Sequence, residues 1–101
     1  MRDGFIKKLE EVAVLHDDLF MLTADLGFRL FDGFHANHPD RFIDVGIAES
    51  NMAGIAAGLA LSGRKVYCYS IIPFLVMRAY EQIRVDIAFH NLNVRLIGAG
   101  G

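Results

Sequence analysis

Apolar positions in this chain recur at two periods that alternate along its length. Residues 3–15 place Phe5, Leu9, Val12 and Ala13 at helical spacing, with Lys7, Lys8, Glu10 and Glu11 between them. The next apolar run, Leu19-Phe20-Met21-Leu22-Thr23, has the length of a strand and gives way to a loop at Ala24-Asp25-Leu26-Gly27. A second helix is predicted over 28–38, closed by Pro39, which disfavours helical geometry in the residue before it. Phe42-Ile43-Asp44-Val45 reads as a short strand ending in a turn at Gly46. Residues 48–62 carry Met52, Ile55, Ala56 and Leu59 on one helical stripe, with Gly63 placed to end the helix.

The β-branched and aromatic stretch 65–72 predicts a buried strand. Pro73 opens a further helix with Val76, Ala79, Tyr80, Ile83 and Ile87 as its inner face, and with Glu81 and Arg84 one turn apart on its wet side. Val94-Arg95-Leu96-Ile97 is a last strand running into Gly98-Ala99-Gly100-Gly101. Strands alternating with helices imply parallel pairing through helical crossovers, an α/β fold. The chain stops where such a fold begins its next loop, so a fragment or one product of a split gene is expected.

Composition narrows the class. The 101 residues are 53% hydrophobic and 22% charged, with 2 prolines, which excludes disorder and suits a single core. A net charge of -2 offers no basic surplus for a phosphate backbone, so no nucleic-acid partner is expected. The single cysteine, Cys68, rules out an internal disulfide and points to a reducing compartment. No apolar run approaches the roughly 20 residues of a membrane helix. The N-terminus turns charged before a signal core can form. The chain reads as soluble and cytoplasmic, with no membrane partner.

Candidate chemistry centres on Gly46-Ile47-Ala48-Glu49-Ser50-Asn51-Met52, where a strand delivers the chain through a glycine turn to a helix start. A carboxylate in a first helical turn faces unsatisfied N–H groups, so Glu49 has an ordinary electrostatic reading as a helix-start residue. Gly54, Ala57 and Gly58 give the same helix a small-residue face suited to close packing. His35 and His38 stand at ligand-capable spacing without a third partner, so no metal site is assigned. Cys68, inside an apolar strand, reads as a buried, inert thiol.

Three strings taken together carry more. Gly46 to Ala60, the segment Arg78-Ala79-Tyr80-Glu81-Gln82-Ile83-Arg84, and Thr23-Ala24-Asp25-Leu26-Gly27 resemble, in order and spacing, the pyrimidine-binding domain of the transketolase family of thiamine diphosphate enzymes. The resemblance implies a three-layer parallel sheet with helices on both faces, of which residues 1–101 are a truncated N-terminal portion. It implies that Glu49 hydrogen-bonds the aminopyrimidine of thiamine diphosphate, favouring the imino tautomer that deprotonates the thiazolium to its ylid. It makes Phe74 a candidate for stacking on that ring, beside two other readings: Leu75 in that role, or Phe74 as core. Asp25 is a further cofactor-side candidate or else a helix cap, and Arg78 a substrate-side candidate or an exposed helix arginine.

Family members hold Mg2+ and the diphosphate through a Gly-Asp-Gly motif, and Asp3-Gly4 and Asp32-Gly33 lack its first glycine. The resemblance therefore implies a diphosphate-binding partner domain or subunit, in a homodimer or heterotetramer, acting on a sugar phosphate or keto acid. The implied reaction is two-carbon ketol transfer. A deoxyxylulose-phosphate synthase, a 2-oxo acid dehydrogenase β-type subunit, or a non-catalytic α/β subunit or inactive fragment are the alternatives.

Overall fold

The computed structural model describes residues 1–27 and 29–101. The order of elements is α1 (Arg2–Leu15), β1 (Leu19–Thr23), α2 (Asp32–Asn37), a short 3-10 turn (Pro39–Arg41), β2 (Phe42–Asp44), α3 (Glu49–Leu61), β3 (Lys65–Ile71), a helical segment spanning 74–88, and β4 (Val94–Ala99). All strands pair in parallel in the order β2-β1-β3-β4. The chain steps from β1 outward to β2, then back across β1 to β3 and on to β4. With right-handed crossovers, that reversal sends α2 to one face of the sheet and α3 with the 74–88 segment to the other.

The core divides accordingly. On one face Leu9 and Ala13 of α1 and Phe34 of α2 pack with Leu19, Met21 and Tyr69. On the other, Met52 and Ala56 of α3 pack with Leu22, Val66, Cys68 and Leu75. A sheet covered on both sides needs apolar residues at successive positions, which is why β1 reads as a continuous hydrophobic run. Cys68 is 0% exposed, and burial pushes its thiol up to about 12, so it is an inert core residue.

Three expectations are corrected in detail. The helix predicted over 28–38 begins on Phe28, which lies outside the described residues, and the helix observed is only Asp32–Asn37. The small-residue face of α3 that packs is Ala53 and Ala57, set against Ala79 and Ile87 of the 74–88 segment. Gly54 and Gly58 point away, with open space around them. In the 74–88 segment the buried positions are Leu75, Ala79 and Ile87, whereas Val76 and Tyr80 are exposed. The cause is winding. Phe74–Arg78 and Ile83–Ala88 are π-helical, and Phe89 N–H donates to the Arg84 carbonyl at 3.0 Å, so the stripe recurs every four residues instead of every 3.6.

Arg41 ties the first crossover together. Its guanidinium donates to the carbonyls of Ala13 (3.3 Å), His16 (2.7 Å) and Leu19 (3.5 Å), closing the end of α1 and the start of β1. Its other nitrogen faces His38 Nδ1 at 2.5 Å. Desolvation, and then the Arg41 charge, hold His38 below the ordinary histidine value. His35 stacks on Phe42 at 4.9 Å. Both histidines therefore have structural partners.

Candidate functional site

Every sequence-predicted site residue lies at or just beyond the carboxyl ends of the strands, the edge where open parallel sheets bind ligands. β1 ends in a loop braced by Thr23, whose hydroxyl donates to the Leu26 carbonyl at 2.9 Å. Gly27 follows at φ 78, and a side chain there would meet the Phe31 ring at 2.6 Å, so only glycine fits both demands.

Asp25 takes the left-handed conformation, φ 55, and its N–H donates to Asp44 Oδ1 at 2.9 Å. The same oxygen accepts the Gly46 N–H at 2.9 Å. One carboxylate at the end of β2 thus stitches the loop after β1 to the turn that leads into α3. Nothing in the sequence pattern shows two amides converging on Asp44. Replacing Asp44 with Ala removes both charge-assisted bonds and is expected to cost about 1–2 kcal/mol, water recovering part of the loss at this exposed position. Urea denaturation measures that cost, and faster amide exchange at Asp25 and Gly46 would locate it.

The turn continues through Gly46 at φ 76, and Ala48 N–H donates back to the Gly46 carbonyl at 2.8 Å. Glu49 is the first residue of α3 and is only 3% exposed. A carboxylate placed merely to complement a helix terminus sits in water; a buried one needs a specific partner. That partner is Arg78, whose Nη1 donates to Glu49 Oε1 at 3.2 Å.

Arg78 also lies over the Phe74 ring, 4.1 Å from its centroid. Its backbone carbonyl accepts the Ser50 hydroxyl at 3.0 Å, which binds the 74–88 segment to the first turn of α3. Leu75 is 2% exposed and belongs to the core, while Phe74 is half-buried beside Arg78. Phe74, not Leu75, lies against the guanidinium that reaches the buried carboxylate. Glu49, Phe74 and Arg78 are therefore brought together, and Asp25 is tied to Asp44 instead. The pairing of Arg78 with Glu49 had no signal in the sequence.

The fit of a flat heteroaromatic ring can be tested on this arrangement. Arg78 shows that a planar group bearing N–H donors can reach the carboxylate while lying on the aromatic face. A ring of that description would meet a hydrogen-bond acceptor at its edge and a stacking surface beneath. A cavity of about 730 Å³ lies elsewhere, lined by Arg2, Ile6, Gly27, Tyr69 and Ala99. Its lining, which also includes Asp3 and Arg29, contains neither Glu49 nor Phe74. Among the described residues no three His, Cys, Asp or Glu side chains converge in a metal-binding group. No described helix is long and apolar enough to cross a membrane.

A four-stranded parallel sheet with helices on both faces is an α/β domain of the doubly wound class. The family described as "Transketolase, pyrimidine binding domain" matches residues 1–100, and the chain belongs to that family. It is 37% identical over 100 residues to the "6-deoxy-6-sulfo-D-fructose transketolase subunit" of Clostridium sp. (strain MSTE9), covering 98% of this chain and 31% of that protein. It is 40% identical over 95 residues to the "1-deoxy-D-xylulose-5-phosphate synthase" of Thermomicrobium roseum, covering 92% of this chain and 15% of that protein. A solved structure titled "Split gene transketolase, inactive beta4 tetramer" superposes with a TM-score of 0.85 at 34% identity, over 96% of this chain and 33% of that one. The chain thus spans a third or less of the length of the proteins it matches. The resemblance and the three-layer fold expected from the sequence both hold.

Proposed function

We propose that this chain supplies the ring-binding half of a thiamine diphosphate site in a transketolase-type transferase, with Glu49 as its catalytic carboxylate. The supporting observation is a carboxylate 3% exposed at the sheet's carboxyl edge, joined through Arg78 to a half-buried aromatic ring. When bound, thiamine diphosphate supplies the carbon nucleophile that breaks and makes the carbon–carbon bond. The protein's part is placement and proton control. Glu49 accepts a hydrogen bond from a ring N–H and so governs which ring nitrogen carries the proton. In a site shielded from water that bond is stronger than it would be at the surface. Phe74 gives the ring a flat support, and Asp25 stands at the same sheet edge as a polar contact.

The diphosphate and its Mg2+ are assigned to a partner domain or subunit, because this chain has no Gly-Asp-Gly motif. The reaction is two-carbon ketol transfer between sugar phosphates, within a homodimer or heterotetramer. The identity to a deoxyxylulose-phosphate synthase over 92% of the chain supports a second reading, in which the same half-site serves that condensation.

The test is thiamine diphosphate binding and ketol transfer from a ketose phosphate to an aldose phosphate, with and without a diphosphate-binding transketolase subunit. Transfer is expected only in the mixture, with tighter cofactor binding there than to either chain alone. A folded chain that forms a complex with the subunit yet adds neither binding nor transfer would sink the reading.

A further inference from the structure

Arg78 occupies the place the proposed function gives to the cofactor's ring. Its guanidinium is planar, carries N–H donors, hydrogen-bonds Glu49 Oε1 at 3.2 Å and covers the Phe74 ring at 4.1 Å. A flat aromatic ring with an N–H edge would use the same two groups in the same way, and both occupants cannot be present together. We infer that Arg78 is an internal stand-in for the ring, holding the half-site closed in the free chain and swinging out when the cofactor enters. The inference rests on the assignment of Glu49 and Phe74 as ring contacts.

The surroundings suit such a swing. The backbone at Arg78 is pinned, because its carbonyl accepts the Ser50 hydroxyl at 3.0 Å and the next residue, Ala79, is 0% exposed in the core. The side chain is free by comparison: it is 52% exposed, so solvent lies on its outer side, while Glu49 is 3% exposed. Opening therefore needs only side-chain rotation. Phe74 and Arg78 begin and end one π-helical turn, which keeps both on the same side of the segment as they exchange partners.

The closed form has two physical uses. A carboxylate removed from water is costly when unpaired, and Arg78 supplies the counter-charge until a ligand arrives. Closure also lowers the apparent affinity for the ring, since only the open fraction can bind. A chain lacking the guanidinium should bind more tightly, by the reciprocal of that fraction.

The test titrates thiamine diphosphate into the full chain by NMR, comparing wild type, Arg78→Gln and Glu49→Gln after circular dichroism has shown each to be folded. Arg78→Gln is expected to bind roughly tenfold more tightly than wild type, equivalent to a chain open about a tenth of the time. The Arg78 side-chain protons should lie upfield in the free wild type, shifted by the Phe74 ring current, and move to ordinary positions as ligand saturates. Glu49→Gln should bind more weakly than wild type.

Equal or weaker binding by Arg78→Gln, or ring-shifted Arg78 protons that persist at saturation, overturns the inference and leaves Glu49's assignment intact. Failure of Arg78→Gln to bind at all overturns the inference too. Undiminished binding by Glu49→Gln overturns the functional assignment on which it rests.

Discussion

Glu49→Gln, assayed in the assembled enzyme, is expected to lower ketol-transfer turnover by about 10²–10⁴-fold, the usual worth of a correctly placed proton-transfer group. The substitution keeps the volume of the side chain, and in the free chain Arg78 can still donate to the amide oxygen. What it removes is the charge that makes one protonation pattern of a bound ring preferable to another. The loss should therefore fall on kcat more than on KM for the sugar phosphates, because neither substrate need touch Glu49. Steady-state kinetics with both donor and acceptor varied would show that division. Turnover near wild type would return Glu49 to the role of an ordinary helix-start acid, its burial notwithstanding.

Phe34→Ala should produce the largest loss of stability, about 3–5 kcal/mol, as expected for truncating a fully buried aromatic residue. Phe34 is 0% exposed, with the His38 ring at 5.1 Å and the Phe42 ring at 6.4 Å. The helix that carries it, Asp32–Asn37, is far shorter than the roughly 12–15 residues at which isolated helices become even marginal, so tertiary packing holds it. Removing the ring takes away the anchor of the whole β1-to-β2 crossover. Urea unfolding gives the measurement. A shift below about 1 kcal/mol would mean that Arg41 and Phe31 can hold the crossover without it.

The elements most legible in the sequence were those whose periodicity and boundaries agree. The helix expected over 48–62 is observed as Glu49–Leu61, bounded by the turn at Gly46 and by Gly63. The buried strand expected over 65–72 is found at Lys65–Ile71, its side chains alternating between the two cores. α2 was less legible, because apolar residues before Asp32 belong to a loop that packs on the core without being helical there. A 3.6-residue period gives the wrong inner face for the 74–88 segment, because its backbone is more widely wound.

Within the site, Glu49's position could be read from its string and its burial could not. Leu75 is buried in the core and Phe74 is left half-buried beside Arg78 by that same winding, which an alignment of strings does not show. The Arg78–Glu49 pair joins residues from separate elements, and local spacing carries no trace of such a contact. Asp44's two backbone partners escape sequence reading for the same reason.

The strand order has a consequence for how the chain acquires its site. No two strands of this sheet form a hairpin, and β1 gains its second neighbour only when Leu19 pairs with Lys65, far along the chain. Closing such long loops precedes any gain from the contacts they make, so the sheet belongs to a topology that folds slowly. Glu49 comes before β3 and Arg78 after it, which means the carboxylate cannot be buried or paired until that central strand is seated. On a ribosome, the acid of the proposed half-site would stay solvated until the residues through Arg78 had emerged.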